Sequence, residues 1–283
     1  MTEKHLFEAP YATTAFARLR DALVVPPAAA LDRIRPIYGE PSPIIERARE
    51  QHAVMVKTLE SLGVRVHSLA VEDGMGYATF IADCALIAER GAIMLRPTQI
   101  ERRPEVALVE ARLRSMGIPI IGRIEAPAML DGADVVATRG VAYLGVPKAA
   151  RNGARSNTLG RAQFEQHAAG AGLRTVEVAI APEVVRLSNV LSFVDEDLAV
   201  AATDYVDAAP LAGKVRIVEI PRGDQYGAGV IVVAPRRVLA NLRFRVALPL
   251  MRKAKVDVTA IDLWEFGKIG RTPASLILPL KRG

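Results

Sequence analysis

Cysteine is almost missing from this sequence. Cys84 is the single one in 283 residues, which excludes an internal disulfide and a cysteine-based metal site and fits a reducing compartment. Histidine is sparse too: His5, His52, His67 and His167 are scattered, and none pairs at the spacing that puts two ligands on one helix face. Neither a metal nor a cofactor is expected. Aromatic residues make up only 5%, and no helix-turn-helix, finger or RNA-stacking pattern is present. The formal net charge is +6, but basic residues are spread along the chain and interleaved with acids, so nucleic acid is not an expected partner. No apolar run approaches the roughly 18 residues of a membrane span, and no charged-then-apolar leader opens the sequence, so a cytoplasmic location without membrane contact is expected.

What is present is apolar and periodic. At 51% hydrophobic residues the chain can bury a large core, and a single domain over 1–283 is expected. The stretch Phe80 to Arg139 sets the pattern. Phe80 to Ala88 and Ala92 to Pro97 read as two apolar strands around a turn at Glu89-Arg90-Gly91. Arg102-Arg103-Pro104 opens an amphipathic helix on Val106, Val109, Leu113 and Met116, closed by Gly117, and Ile118 to Ile124 is the strand after it. The pattern then restarts with Val135 to Ala137, a turn at Arg139-Gly140, and Val141 to Gly145.

Further copies follow. The second has its helix near Thr158 to Ala171 and its closing strand at Arg174 to Ile180. The third is Leu191 to Val194, Leu198 to Ala202, a short helical piece and the strand Val215 to Ile220. The fourth is Val230 to Ala234, a helix ending at Lys253 and the strand Lys255 to Ile261. A last half-unit, Ser275 to Leu278, needs the N-terminal strand Thr14 to Val25, the helix Glu40 to Leu62 and the strand Val64 to Leu69 to complete a fifth. Residues 1 to 12 carry little pattern and are expected to be loosely packed, and Pro26 to Gly39 reads as a loop able to cover a site. Periodicity alone leaves two α/β architectures open: a ring of five strand-pair, helix, strand units closed by the chain ends, or an ordinary two-layer domain.

Five stretches resemble the dimethylarginine dimethylaminohydrolase branch of the guanidino-modifying, amidinotransferase-like enzymes. Phe80-Ile81-Ala82-Asp83 resembles that family's Phe-Val-Glu-Asp. Arg96-Pro97 followed by Arg102-Arg103-Pro104-Glu105 matches its Arg-Pro, four residues, Arg-Arg-x-Glu. Leu130-Asp131-Gly132-Ala133-Asp134-Val135 resembles Leu-Asp-Gly-Gly-Asp-Val, and Arg155-Ser156-Asn157-Thr158-Leu159-Gly160 resembles Arg-Thr-Asn-x-x-Gly. Glu265-Phe266 with Gly270 to Leu276 resembles the segment that carries the nucleophile. The resemblance implies a pentein-like five-bladed α/β propeller of five ββαβ repeats with pseudo-five-fold symmetry.

It also implies a chemistry: a cysteine thiolate that attacks the guanidinium carbon, a histidine that carries protons, and carboxylates that grip the guanidinium nitrogens. Here Pro273 falls at the nucleophile and Arg186 at the histidine, and an arginine stays protonated at neutral pH. The first of the paired acids is Ala82, while Asp83 remains. Tyr77 stands roughly where the family places an acid for the substrate's amino group, and Arg102 and Arg155 match the two arginines that clasp the substrate carboxylate.

Asp83 is open to two readings, a cation site or a buried carboxylate paired with Arg186. Asp131 and Asp134 read as turn and backbone-bonding residues. Cys84, taken as a strand neighbour of Asp83 on the opposite face, reads as a buried inert thiol. Strand alternation would put Ser275 on the side of Pro273, but a hydroxyl without a base is a poor nucleophile.

The expectation is therefore a pseudoenzyme that lacks cysteine-dependent hydrolysis and holds a small carboxylate-bearing, amino-acid-like or anionic ligand through Asp83, Arg102, Arg155, Arg186 and Tyr77, alone, as a homo-oligomer or beside an active paralogue. The alternatives are an enzyme with rebuilt acid-base chemistry on a related substrate, and a ribosome- or protein-binding scaffold.

Overall fold

The computed structural model describes residues 7–12, 14–37, 39–148, 156–184 and 186–283. In chain order, β1 (Leu19–Val24), α1 (Ile45–Ser61) and β2 (Arg65–Ser68) come first. They are followed by β3 (Ala85–Ala88), β4 (Gly91–Met94), α2 (Arg103–Ser115) and β5 (Ile120–Arg123). The same order returns in β6 (Val135–Thr138), β7 (Val141–Pro147), α3 (Thr158–Gly170) and β8 (Arg174–Ile180). It returns again, with a 3-10 turn in place of the helix, in β9 (Leu191–Phe193), β10 (Leu198–Ala201) and β11 (Arg216–Glu219). The last copy is β12 (Ile231–Ala234), β13 (Arg237–Asn241), α4 (Ala247–Lys253) and β14 (Asp257–Ile261), and β15 (Leu278–Arg282) closes the sequence.

These strands form five three-stranded sheets, each with an antiparallel hairpin on one side and a parallel strand on the other. β4 and β10 are buried at every position, as a strand covered on both faces must be. The fifth sheet joins the ends of the sequence, with β15 antiparallel to β1 and β1 parallel to β2.

Helix limits follow local chemistry. α2 has Pro104 in its first turn, where no N–H partner is lost, and ends before Gly117 at φ 84. α3 begins where the Asn157 side chain accepts from Gly160 N at 2.7 Å. α1 has no such cap, and the Ile44 N–H instead reaches Glu265 Oε2 at 2.7 Å.

One feature repeats in every unit: a short 3-10 turn ahead of the hairpin. The five are Ile81–Asp83, Gly132–Asp134, Leu187–Asn189, Gln225–Ala228 and Pro273–Leu276. Gly132 shows how tightly they pack, since a Cβ there would lie 1.9 Å from the Ala82 carbonyl oxygen. The strands after these turns, β3, β6, β9, β12 and β15, all line one cavity of about 600 Å³. β15 lies beside β3, β6 beside β9, and β1 beside β12. Of the two architectures that periodicity left open, the five like sheets match the one built of five repeated units.

Several expected boundaries move. The first strand begins at Leu19 rather than Thr14 and the first helix at Ile45 rather than Glu40, after Pro41 and Pro43. Phe80 to Asp83 is not strand, so Asp83 and Cys84 are separated by a turn and not by strand alternation. Pro273 and Ser275 share a 3-10 turn, and Ser275 Oγ is spent on the Thr272 carbonyl at 2.8 Å. The described part of the N-terminal end is packed: Phe7 and Tyr11 are buried. Leu31 and Ile34 likewise anchor the segment after Pro26, and Ile37 N–H donates to Lys268 O at 2.8 Å.

Candidate functional site

The five 3-10 turns share one end of the sheets, and four of them bring charge or polar groups together. Asp83 closes the first turn, Asp131 and Asp134 flank the second, Arg186 precedes the third, and Arg271 and Thr272 precede the last. Arg102 arrives from the turn Ile100–Arg102 at the head of α2. All of these side chains are buried, and Asp83 and Arg102 expose nothing to solvent.

Charges this deep are costly unless paired and hydrogen-bonded, and these are. One Asp83 oxygen accepts from Arg102 Nη1 and, at 2.8 Å, from Arg271 Nη1, while the other accepts from Ala133 N at 3.0 Å. Arg102 also donates through Nε to Glu105 Oε2 at 2.9 Å and through Nη2 to the carbonyls of Phe80 at 3.1 Å and Tyr77 at 3.3 Å. The Arg271 guanidinium carbon stands 4.6 Å from the centre of the Phe80 ring, a cation–π contact. Arg186 Nη2 pairs with Asp131 Oδ2 at 2.9 Å, and the same oxygen accepts from Thr98 Oγ1 at 2.9 Å. Asp134 accepts from Ser156 Oγ at 2.6 Å and from Leu187 N at 3.4 Å.

Burial alone would raise the Asp83 pKa, yet Arg271, Arg102 and Arg186 outweigh it and hold the carboxyl well below the usual carboxylate range. Asp134 goes the other way. Burial, helped by Asp131 and Asp83, overcomes Arg186 and Ser156 and pushes it up to about 6. Burial also raises the Cys84 thiol, whose Sγ faces Glu105 Oε2 at 4.0 Å, so it is not a thiolate at neutral pH.

Asp83, Arg102 and Tyr77 come together as the sequence suggests, with the Arg102 guanidinium carbon 5.7 Å from the Tyr77 ring centre. Arg186 belongs to the same cluster, but its ion pair is with Asp131 and not with Asp83. Arg155 lies outside the described residues. Sequence reasoning passed over Arg271, Glu105 and Ser156, although all three stand inside the quoted motifs. Glu105 sits three residues after Arg102 on α2, the spacing at which the two meet. Among the described residues no group of three or more histidine, cysteine or carboxylate side chains could hold a metal ion.

What this arrangement can do chemically is hold guanidinium groups. Three arginines are held by Asp83, Glu105 and Asp131. Pro273 lies buried in the last turn, and the neighbouring Thr272 Oγ1 donates to Asn189 Oδ1 at 3.2 Å.

No protein-family profile matches the chain. Among curated proteins it is 26% identical over 201 residues to N(G),N(G)-dimethylarginine dimethylaminohydrolase of Pseudomonas aeruginosa, which covers 70% of this chain and 74% of that one. It is 24% identical over 244 residues to the uncharacterized protein YkgA of Bacillus subtilis, 84% of this chain and 82% of the relative. Among solved structures, the Pseudomonas aeruginosa enzyme, as a cysteine-to-serine variant with citrulline, superposes with a TM-score of 0.82 at 24% identity over 92% of this chain and 99% of that one. The N-terminal domain of ArgZ, a cyanobacterial arginine dihydrolase, gives a TM-score of 0.81 at 17% identity over 93% and 98%. The fold is therefore pentein-like, and with the motifs that run in order from Phe80 to Leu276 this chain is similar to the dimethylarginine dimethylaminohydrolase family.

Proposed function

We propose that this chain is a non-hydrolytic member of that family, a binding protein whose ancestral guanidino site is filled by its own arginines. The five sheets would close as a five-bladed propeller around the cavity. In the family resemblance Asp83 grips substrate guanidinium nitrogens; here the same carboxylate is taken by two protein guanidiniums, Arg102 and Arg271. That is the observation that carries the reading. A guanidino substrate would have to displace both, leaving Arg271 buried without its carboxylate and Arg102 with Glu105 alone. The loss of the attacking sulfur at Pro273 and of the proton carrier at Arg186 agrees with it, because the family's bond-breaking step then lacks its own nucleophile and its own base.

A small carboxylate-bearing ligand at the centre, held by Arg102, fits this geometry less well. Arg102 has no exposed surface, and its donors are engaged by Asp83, Glu105 and two backbone carbonyls. The centre is better read as an internal ionic lock.

The direct test is citrulline formation from dimethylarginine and from arginine with the purified protein. None is expected, and turnover at an enzymatic rate would overturn the reading. Pro273→Cys sharpens it: restoring the sulfur alone is expected to leave citrulline at background, since Arg271 still occupies Asp83.

A further inference from the structure

The cavity lined by β3, β6, β9, β12 and β15 lies on the other side of the 3-10 turns from most of the ionic cluster. Its inner end is formed by turn residues such as Ala82, Ala133 and Ala274, and its walls include Leu86, Val136, Leu191 and Phe193. Its rim carries Glu89 and Arg139, both exposed, so it opens to solvent there. A volume of about 600 Å³ is in the range of small-molecule sites.

One charged group in this apolar surround is buried: Arg282, only 6% exposed. Its position at the rim end is fixed through Tyr11, whose N–H donates to Glu89 O at 3.0 Å and whose carbonyl accepts from Arg282 N at 2.9 Å. Its Nη1 donates to Ala17 O at 2.8 Å and to Val232 O at 3.0 Å. Among the described residues its Nε and Nη2 have no acceptor, and no carboxylate pairs with it. Burial lowers its pKa to about 10, which leaves it a cation at neutral pH.

A buried cation without a counter-charge is an unfavourable arrangement that an entering anion relieves. Nη1 is the nitrogen already spent, so the Nε–Nη2 edge remains, and that edge accepts a carboxylate in bidentate fashion. One cation in an apolar wall suits one negative charge and an apolar body; a second charge on the ligand would find no partner along the strands.

We propose that this cavity binds an apolar-chain monocarboxylate, its carboxylate on Arg282 and its hydrocarbon body along the five first strands. β15 spans five residues, which at about 3.3 Å each gives a wall that a chain of roughly ten carbons would follow. The site is separate from the ionic lock, and its test does not involve citrulline, so either proposal can fail without the other.

Calorimetric titration of the full chain with decanoate, decan-1-ol and acetate tests it. Decanoate is expected to bind at least tenfold more tightly than decan-1-ol, with the negative heat-capacity change of apolar burial, and acetate is expected not to bind. Arg282→Gln should abolish the preference of acid over alcohol. Val136→Trp, which fills the wall and leaves Arg282 intact, should abolish decanoate binding, and it decides the matter if R282Q does not fold. Equal affinity for acid and alcohol, no decanoate binding, or unchanged binding by V136W would each overturn the proposal.

Discussion

The two ends of the same five strands handle charge in opposite ways. At the turn end, Arg102, Arg186 and Arg271 are buried and each meets a carboxylate. At the rim end, Arg282 is equally buried and, among the described residues, meets only backbone carbonyls. Desolvation is similar at both ends, so the difference lies in the counter-charge. A paired guanidinium is part of the scaffold, whereas an unpaired one is an offer to a ligand. Family likeness would have drawn attention to the first end; the electrostatics favour the second.

Three measurements break or sharpen this contrast. The largest effect is expected from Asp83→Ala, which leaves Arg102 and Arg271 facing each other without their shared anion. Urea unfolding should show a loss of about 3–5 kcal/mol, the size seen when one partner of a buried pair is removed. A loss below about 1 kcal/mol would show that the lock is not structural.

Next comes Asp134. The unfolded chain releases this proton near pH 4 and the folded chain near 6. Between those values the folded state keeps a proton the unfolded state has lost, so stability falls as pH rises, by about 2–3 kcal/mol. Asp83 works in the reverse sense. Its contribution is present above the ordinary carboxylate range and disappears as pH falls through its depressed value. Asp134→Asn should therefore flatten the decline between about pH 4 and 6 and leave the acid limb in place; an unchanged profile would reject the assignment.

The smallest effect is expected for Arg282→Gln in the absence of ligand. It loses two charge-assisted bonds but also removes an uncompensated buried charge, so the net cost should be only about 1–2 kcal/mol. A loss as large as that of Asp83→Ala would erase the distinction between the two ends.

Much of this was legible in the sequence, and the part that was not has a physical cause. The hairpins were readable because apolar runs such as Leu86 to Ala88 and Ala92 to Met94 flank glycine-bearing turns, and α2 because proline and glycine mark its limits. The 3-10 turns were not. Phe80 to Ala88 is apolar at every position but Asp83, and periodicity cannot tell a turn from a strand inside it. That error carried over to the side chains, since strand alternation does not apply at Cys84 or Ser275, which lie at 3-10 turns.

At the site, motif position identified Asp83, Arg102 and Arg186, but partner choice is a property of three-dimensional distance. Arg186 pairing with Asp131 joins turns from different sheets, and Arg271 reaching Asp83 joins residues far apart in the chain. Arg282 gave no signal at all, because an absent counter-charge is visible only once every neighbour has been placed.

The pairing of β1 with β15 has a consequence for biogenesis. Leu23 lies opposite Leu278, so the edge of β1 stays uncovered until the segment around residue 278 has left the ribosome. During that interval its unsatisfied backbone groups are open to mispairing with other nascent strands, and the sheet is completed by a late, long-range closure of the kind that slows folding.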